Sequence, residues 1–166
     1  MGLADTFEGR RLPTATVLLP TDPAGWAAAE QRCETAVRGL QVAQARQLDL
    51  HTFRDEIAAA DTALAAQPTF EVTLRCLPAT AWDDLVEEHP PTGEQRKQGH
   101  QWDTTTFRPA LLAACVVAGE GEQPMTARQW AALADSGQIA VGELDLLFVT
   151  AVNLNARQPQ VSTGKG

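Results

Sequence analysis

Thr14 to Leu19 alternates in polarity, with Ala15, Val17 and Leu19 on one face, and this period of two predicts a strand. Pro20 and Pro23 end it. Asp22 is placed to cap the next helix, with Pro23 at the favoured first helical position. From Ala24 to Leu48 the period becomes helical: Trp26, Ala29, Cys33, Ala36, Leu40 and Ala43 recur at intervals of three and four. The seam is narrow, of heptad type and rich in alanine, which suits a close helical neighbour. Thr52 with Asp55 three residues later is a variant of a capping box, and Phe53, Ile57, Ala60 and Leu64 continue the three-four spacing to about Gln67. The expected neighbour is therefore the next segment in sequence, folded back as a hairpin. Residues 48–51 hold no Gly or Pro, so one continuous helix through residue 66 competes with the hairpin.

Pro68 stops the helix, and Thr69 to Leu77 alternates again. Phe70, Val72, Leu74 and Cys76 lie on one side, with Glu71, Thr73 and Arg75 on the other, predicting a second half-buried strand. Two helices run out and back, so the second strand starts where the first ended and the pair should be antiparallel. A single intervening helix would favour a parallel crossover instead.

Helical patterns fill the remainder. Thr80 and Asp83 open a short helix carrying Trp82, Leu85 and Val86, closed by Pro90 and Pro91. Residues 92–103 are polar, hold two Gly and read as a mobile loop. Phe107, Leu111, Leu112 and Cys115 mark the next helix, with Pro109 tolerated in its first turn. Thr126 and Gln129 form a cleaner capping box before Trp130, Leu133 and Ala134, and Gly137 closes that helix. The last helix, from about Val141 to Asn155, carries a broad apolar stripe of Leu144, Leu147, Phe148, Ala151 and Val152. The expected fold is α+β and mostly α: two antiparallel strands bracketing a helical hairpin, then a C-terminal bundle of about four helices. A flexible arm over 1–12, one domain over 13–156 and a flexible tail over 157–166 complete the expected organisation.

Charge narrows the partners. Thirteen Lys and Arg against 21 Asp and Glu give a formal net charge of −8 on 166 residues. Such a surface repels phosphate, so nucleic acid and anionic membrane are not expected partners. No apolar run approaches the ~20 residues of a membrane span, and Met1 to Arg11 lacks the apolar core of a secretory signal. Cys33, Cys76 and Cys115 are odd in number, widely spaced and set among apolar neighbours, which fits a reducing cytoplasm and not a disulfide framework.

Chemistry-bearing patterns are sparse. His51, His89 and His100 are not spaced as metal ligands with one another or with cysteine. No nucleophile elbow and no phosphate-cradling glycine loop occurs, and Glu residues surround Gly119 and Gly121. Asp83, Asp84, Glu87 and Glu88 form the densest acidic cluster. Four carboxylates on one short amphipathic helix read first as a solvated face and second as a dock for a basic partner. Trp102, between Gln101 and Asp103, is the tryptophan out of place in a polar segment. It either folds back onto the core or serves as a protein-binding hot spot. The candidate partner-binding residues are thus Trp102, Asp84, Glu87 and Glu88, with no catalytic, cofactor or metal site expected.

A set of elements runs in order through Thr73–Asn155. It begins with Thr73-Leu74-Arg75-Cys76-Leu77-Pro78, then Trp82, Leu85 and Glu88-His89-Pro90-Pro91. Phe107, Pro109-Ala110-Leu111-Leu112 and Cys115-Val116-Val117 come next, then Met125-Thr126, Trp130, Leu133, Leu147-Phe148, Ala151, Asn153 and Asn155. The ordered set resembles the tail assembly chaperones of actinobacterial siphophages, and Leu12-Pro13 with the strand and hairpin upstream also fits. The resemblance implies a cytoplasmic, non-enzymatic protein. It would coat the long helical tape measure protein, keep it soluble and recruit tail tube subunits, and self-association is compatible with that role. No catalytic residue or cofactor comes with it. Two other expectations stand beside it: a structural protein of the neck or tail, as adaptor or terminator, and a hydrolase using His89 or Glu88.

Overall fold

The computed structural model describes residue 8 and residues 10–156, so most of the expected arm and all of the tail fall outside the described residues. The architecture is α+β and mostly α. In order come β1 (Thr14–Pro20), α1 (Pro23–Ala45), α2 (His51–Ala65), β2 (Thr69–Arg75), α3 (Ala79–Glu88), α4 (Gly93–Lys97), α5 (Phe107–Cys115), α6 (Ala127–Asp135) and α7 (Val141–Ala156). The two strands pair with each other. The Thr21 N–H donates to the Pro68 carbonyl and the Cys76 N–H to the Pro13 carbonyl, both at 2.9 Å, which makes the pair antiparallel and sets Val17 opposite Val72. The chain divides into two compact units: Leu18–Glu71, and the other described residues. Both strands run through the division.

Within Leu18–Glu71, the hairpin is present and the continuous helix is not. All six predicted seam residues of α1 are buried or half-buried, and so are Phe53, Ile57, Ala60 and Leu64 of α2. The break lies at Gln47, which takes a left-handed φ of 53°. Its N–H donates to the Gln44 carbonyl at 3.1 Å and the Leu48 N–H to the Ala43 carbonyl at 3.0 Å. This crossed pair is a Schellman stop, here built without the glycine that usually announces it. The Thr52–Asp55 capping box does not form. The helix begins two residues earlier, with Leu50 as N-cap and no side-chain cap. Asp49 already accepts from the His51 N–H at 3.1 Å, and Asp55 turns to His51 Nδ1 at 3.0 Å. Asp22 is the N-cap of α1 with Pro23 in the first turn, but its carboxylate makes no capping bond.

In the other unit, α5 is the centre: Phe107, Leu111, Leu112 and Cys115 are all buried, and α5 packs against α3, α6 and α7. Val17, Leu74 and Leu77 add to this core from the ribbon side, with Leu144, Leu147 and Ala151 from α7. After α5 the chain turns extended. The Val117 N–H reaches the Thr73 carbonyl at 2.9 Å, and Val116 forms a single antiparallel bridge with Leu74. The Thr126–Gln129 box forms reciprocally, with the Thr126 N–H on Gln129 Oε1 at 2.8 Å and the Gln129 N–H on Thr126 Oγ1 at 3.3 Å. Gly137, at φ 73°, comes just after the end of that helix. Thr80 does not cap α3, whose N-cap is Pro78.

Residues 92–103 are ordered where a mobile loop is expected. Thr92 and Gln95 make a second reciprocal capping box, which starts the short helix α4. The Asp103 N–H then anchors the segment on the His89 carbonyl at 2.8 Å.

Candidate functional site

The last helix departs furthest from what a folded interior requires. Its inner stripe buries Leu144, Leu147 and Ala151. A helix with one such face normally turns charged or polar residues to water on the other. Here Leu146 is 49 % and Val149 52 % exposed, and Val141 at the N-terminal end is 70 % exposed. Leu146, Val149 and Asn153 share a stripe at helical spacing, and Gly142 extends it by one turn. Charged groups flank the N-terminal half: Glu143 accepts from the Ala140 N–H at 2.7 Å, and Asp145 pairs with Arg108 at 2.8 Å. The outward stripe was missed in the sequence because the buried stripe beside it already accounts for the helical periodicity. The signal that could have found it is that α7 has no polar face.

The other end of α7 is pinned by Asn155. Its Oδ1 accepts from the Leu77 N–H at 2.7 Å, and its Nδ2 donates to the Ala151 carbonyl at 2.7 Å and toward Cys115 Sγ at 3.5 Å. All three cysteines are free. Burial pushes the Cys115 thiol up to about 11 and raises that of Cys76, while lost hydration and then Asp61 raise that of Cys33. Neutral thiols of this kind are poor nucleophiles.

Trp102 folds back onto an aromatic cluster. It stacks on Phe107 with centroids 4.5 Å apart and meets Trp82 edge-on at 6.2 Å. Phe107 also meets Trp82 at 5.8 Å, Phe148 at 6.3 Å and the His89 ring at 6.1 Å. Trp102 is therefore a half-buried wall of an aromatic cluster, and each such pair adds ~0.5–1.5 kcal/mol beyond area burial. The loop order responsible comes from the Thr92–Gln95 box on one side. On the other, Asp103 Oδ1 accepts from the Thr105 N–H at 2.8 Å and the Thr106 N–H at 3.4 Å.

Asp84, Glu87 and Glu88 are exposed on α3, away from the half-buried Trp82, Leu85 and Val86. Glu88 and His89 border a groove of about 780 Å³ whose floor is Ala110, Ala113 and Ala114 of α5. His89 Nδ1 lies 2.9 Å from Thr106 Oγ1, and His51 pairs with Asp55, so these two histidines serve local structure. A smaller cleft of about 300 Å³ lies between α5 and α6, and Trp130 on its wall has a buried indole N–H without an acceptor. Among the described residues, no group of three or more His, Cys, Asp or Glu is placed to hold a metal ion, and no helix is long and apolar enough to cross a membrane.

No family model, no curated protein and no solved structure matches this chain.

Proposed function

We propose that this protein is a non-enzymatic tail assembly chaperone acting in the bacterial host cytoplasm, where it holds a tape measure protein soluble and helps recruit tail tube subunits around it. The reading rests on the ordered residues of Thr73–Asn155, and the observation that carries it is the outward apolar stripe of α7. Leu146 and Val149 stand in water on a helix whose other face is already consumed by the core. An amphipathic helix of the client, laid along this stripe, would cover both. Glu143 at the N-terminal end of the stripe favours a client helix with basic residues beside its apolar positions. The net charge of −8 keeps a coated, otherwise sticky client dispersed.

The test is co-expression with a fragment of a siphophage tape measure protein. The wild-type chain should keep the fragment soluble and co-purify with it. Leu146→Glu with Val149→Glu should abolish co-purification while leaving the circular dichroism spectrum unchanged. Mass spectrometry of purified virions should find the protein absent or far below stoichiometric. Stoichiometric presence would favour the neck or tail structural reading instead.

A further inference from the structure

The hairpin of the Leu18–Glu71 unit is a two-helix layer with an unusually thin interior. Only Ala29 and Ala43 of α1 are buried, and no residue of α2 is. One face of the layer is a groove of about 700 Å³, walled by Ala28, Thr35 and Ala36 of α1 and by Ala59, Ala60 and Ala63 of α2. Val42 lies one heptad beyond Thr35 on the same helix face and is 46 % exposed. Alanine walls set a short interaxial distance for any helix that enters.

The charges on this groove select its occupant. Arg32 stands on the α1 wall and Glu56 on the α2 wall. Neither takes part in an ion pair among the described residues. Neither has an oppositely charged neighbour three or four positions away on its own helix. Their relative height is set by two contacts between the helices. A Cβ on Gly39 would lie 3.4 Å from the Phe53 ring, and one on Gly25 3.2 Å from Gln67 Oε1. Arg32 is therefore level with Ala60, and Glu56 level with Ala36. A groove with both rims of one sign would call for a partner of the other sign. One carrying a cation on one wall and an anion on the other is complementary to itself under a two-fold axis.

We propose that this groove is a self-association surface, on which a second copy of the chain packs face to face about a dyad parallel to the helices. Each α1 then lies over α2 of the other copy, and the two hairpins close into a four-helix bundle. Arg32 falls just over one turn, about 6 Å along the axis, from the partner subunit's Glu56, a separation the arginine side chain spans. The dyad repeats the pair. The bundle covers the groove walls that a lone hairpin leaves in water, the exposed Ala28, Thr35 and Ala59 included. The inference concerns elements other than α7 and stands or falls independently of the chaperone reading.

Sedimentation velocity of the full chain across a dilution series tests it. The wild type should dimerise. Arg32→Glu and Glu56→Arg should each weaken the dimer by about tenfold or more, because every reversal turns two attractions into two repulsions. The double variant, which exchanges the two charges, should restore it. A wild-type chain that stays monomeric at about 0.1 mM overturns the proposal. So does a dimer indifferent to the single reversals, or a double variant as weak as either single. Circular dichroism separates loss of dimer from loss of fold. If a reversal unfolds the hairpin, Arg32→Gln and Glu56→Gln carry the test, each expected to weaken the dimer by a smaller factor, and no weakening by either overturns it.

Discussion

Asp103 shows how one side chain organises a segment that composition alone leaves shapeless. Its carboxylate accepts two backbone N–H groups of the Thr104–Thr106 turn, and Gln95 Nε2 approaches the same oxygen at 3.5 Å. These bonds, the Thr105 N–H first, hold the carboxyl below its ordinary range. A carboxyl depressed in the folded state stabilises the fold fully above its unfolded value, near pH 4. That contribution is lost as the pH falls through the lower, folded value. Asp103→Asn should therefore lower the urea midpoint at neutral pH and flatten its decline on acidification below about pH 4. An unchanged acid limb would show that Asp103 is not the group responsible. Trp102 is the neighbouring residue this order serves, since a disordered 92–103 segment could not hold its ring on Phe107. Asn155 plays a comparable part at the far end of α7 by satisfying the Leu77 N–H.

At the scale of elements, the hairpin turn makes the sharpest prediction. Gln47 occupies a left-handed conformation in which a Cβ is unfavourable. Gln47→Gly should stabilise the chain by about 1 kcal/mol, because relief at the left-handed site outweighs the added unfolded-state freedom. Thermal unfolding at fixed protein concentration measures it, and a lower midpoint would remove the Schellman stop as the cause of the break. The same turn explains what the sequence could and could not tell. Strand alternation and helical seams were legible because burial imposes them: Val17 and Leu19, Ala29 and Ala43, and Leu144 and Leu147 are all buried where periodicity places them. The hairpin stop was not legible, because its backbone conformation usually demands Gly or Asn and here holds Gln. The Thr92–Gln95 box was legible in principle, being the same pattern as Thr126–Gln129, but no apolar run comes after it to announce a helix. Thr52 is not a cap because the helix already starts at His51, whose N–H is taken by Asp49 from outside the helix. Of the candidate site, the acids of α3 were placed correctly on an exposed face. The stripe of α7 was hidden, since period alone does not reveal a helix with two apolar sides.

The whole molecule carries an uneven distribution of buried surface. Among the described residues, the buried apolar side chains of Leu18–Glu71 are Leu19, Ala29 and Ala43. The other unit buries Phe107, Leu111, Leu112, Leu144 and Leu147 among others. Two alanines remove little apolar area from water, whereas each fully buried Leu or Phe contributes ~1.5–3 kcal/mol. The hairpin amides should therefore open by local unfolding at a much lower free energy than those of α5 and α7. Native-state hydrogen exchange should show α1 and α2 protected less than α5, by factors well above ten. Self-association changes this in a specific way. A partner that binds only the folded hairpin stabilises it by mass action, so its protection rises with protein concentration once the dimer forms. Exchange at two concentrations spanning the dimer midpoint should slow the amides of α1 and α2 and leave those of α5 unchanged. The Arg32→Glu variant should show the low-concentration pattern at both. Equal slowing of α5 would mean that the two units unfold as one, and no slowing anywhere would leave the hairpin groove without the occupant assigned to it.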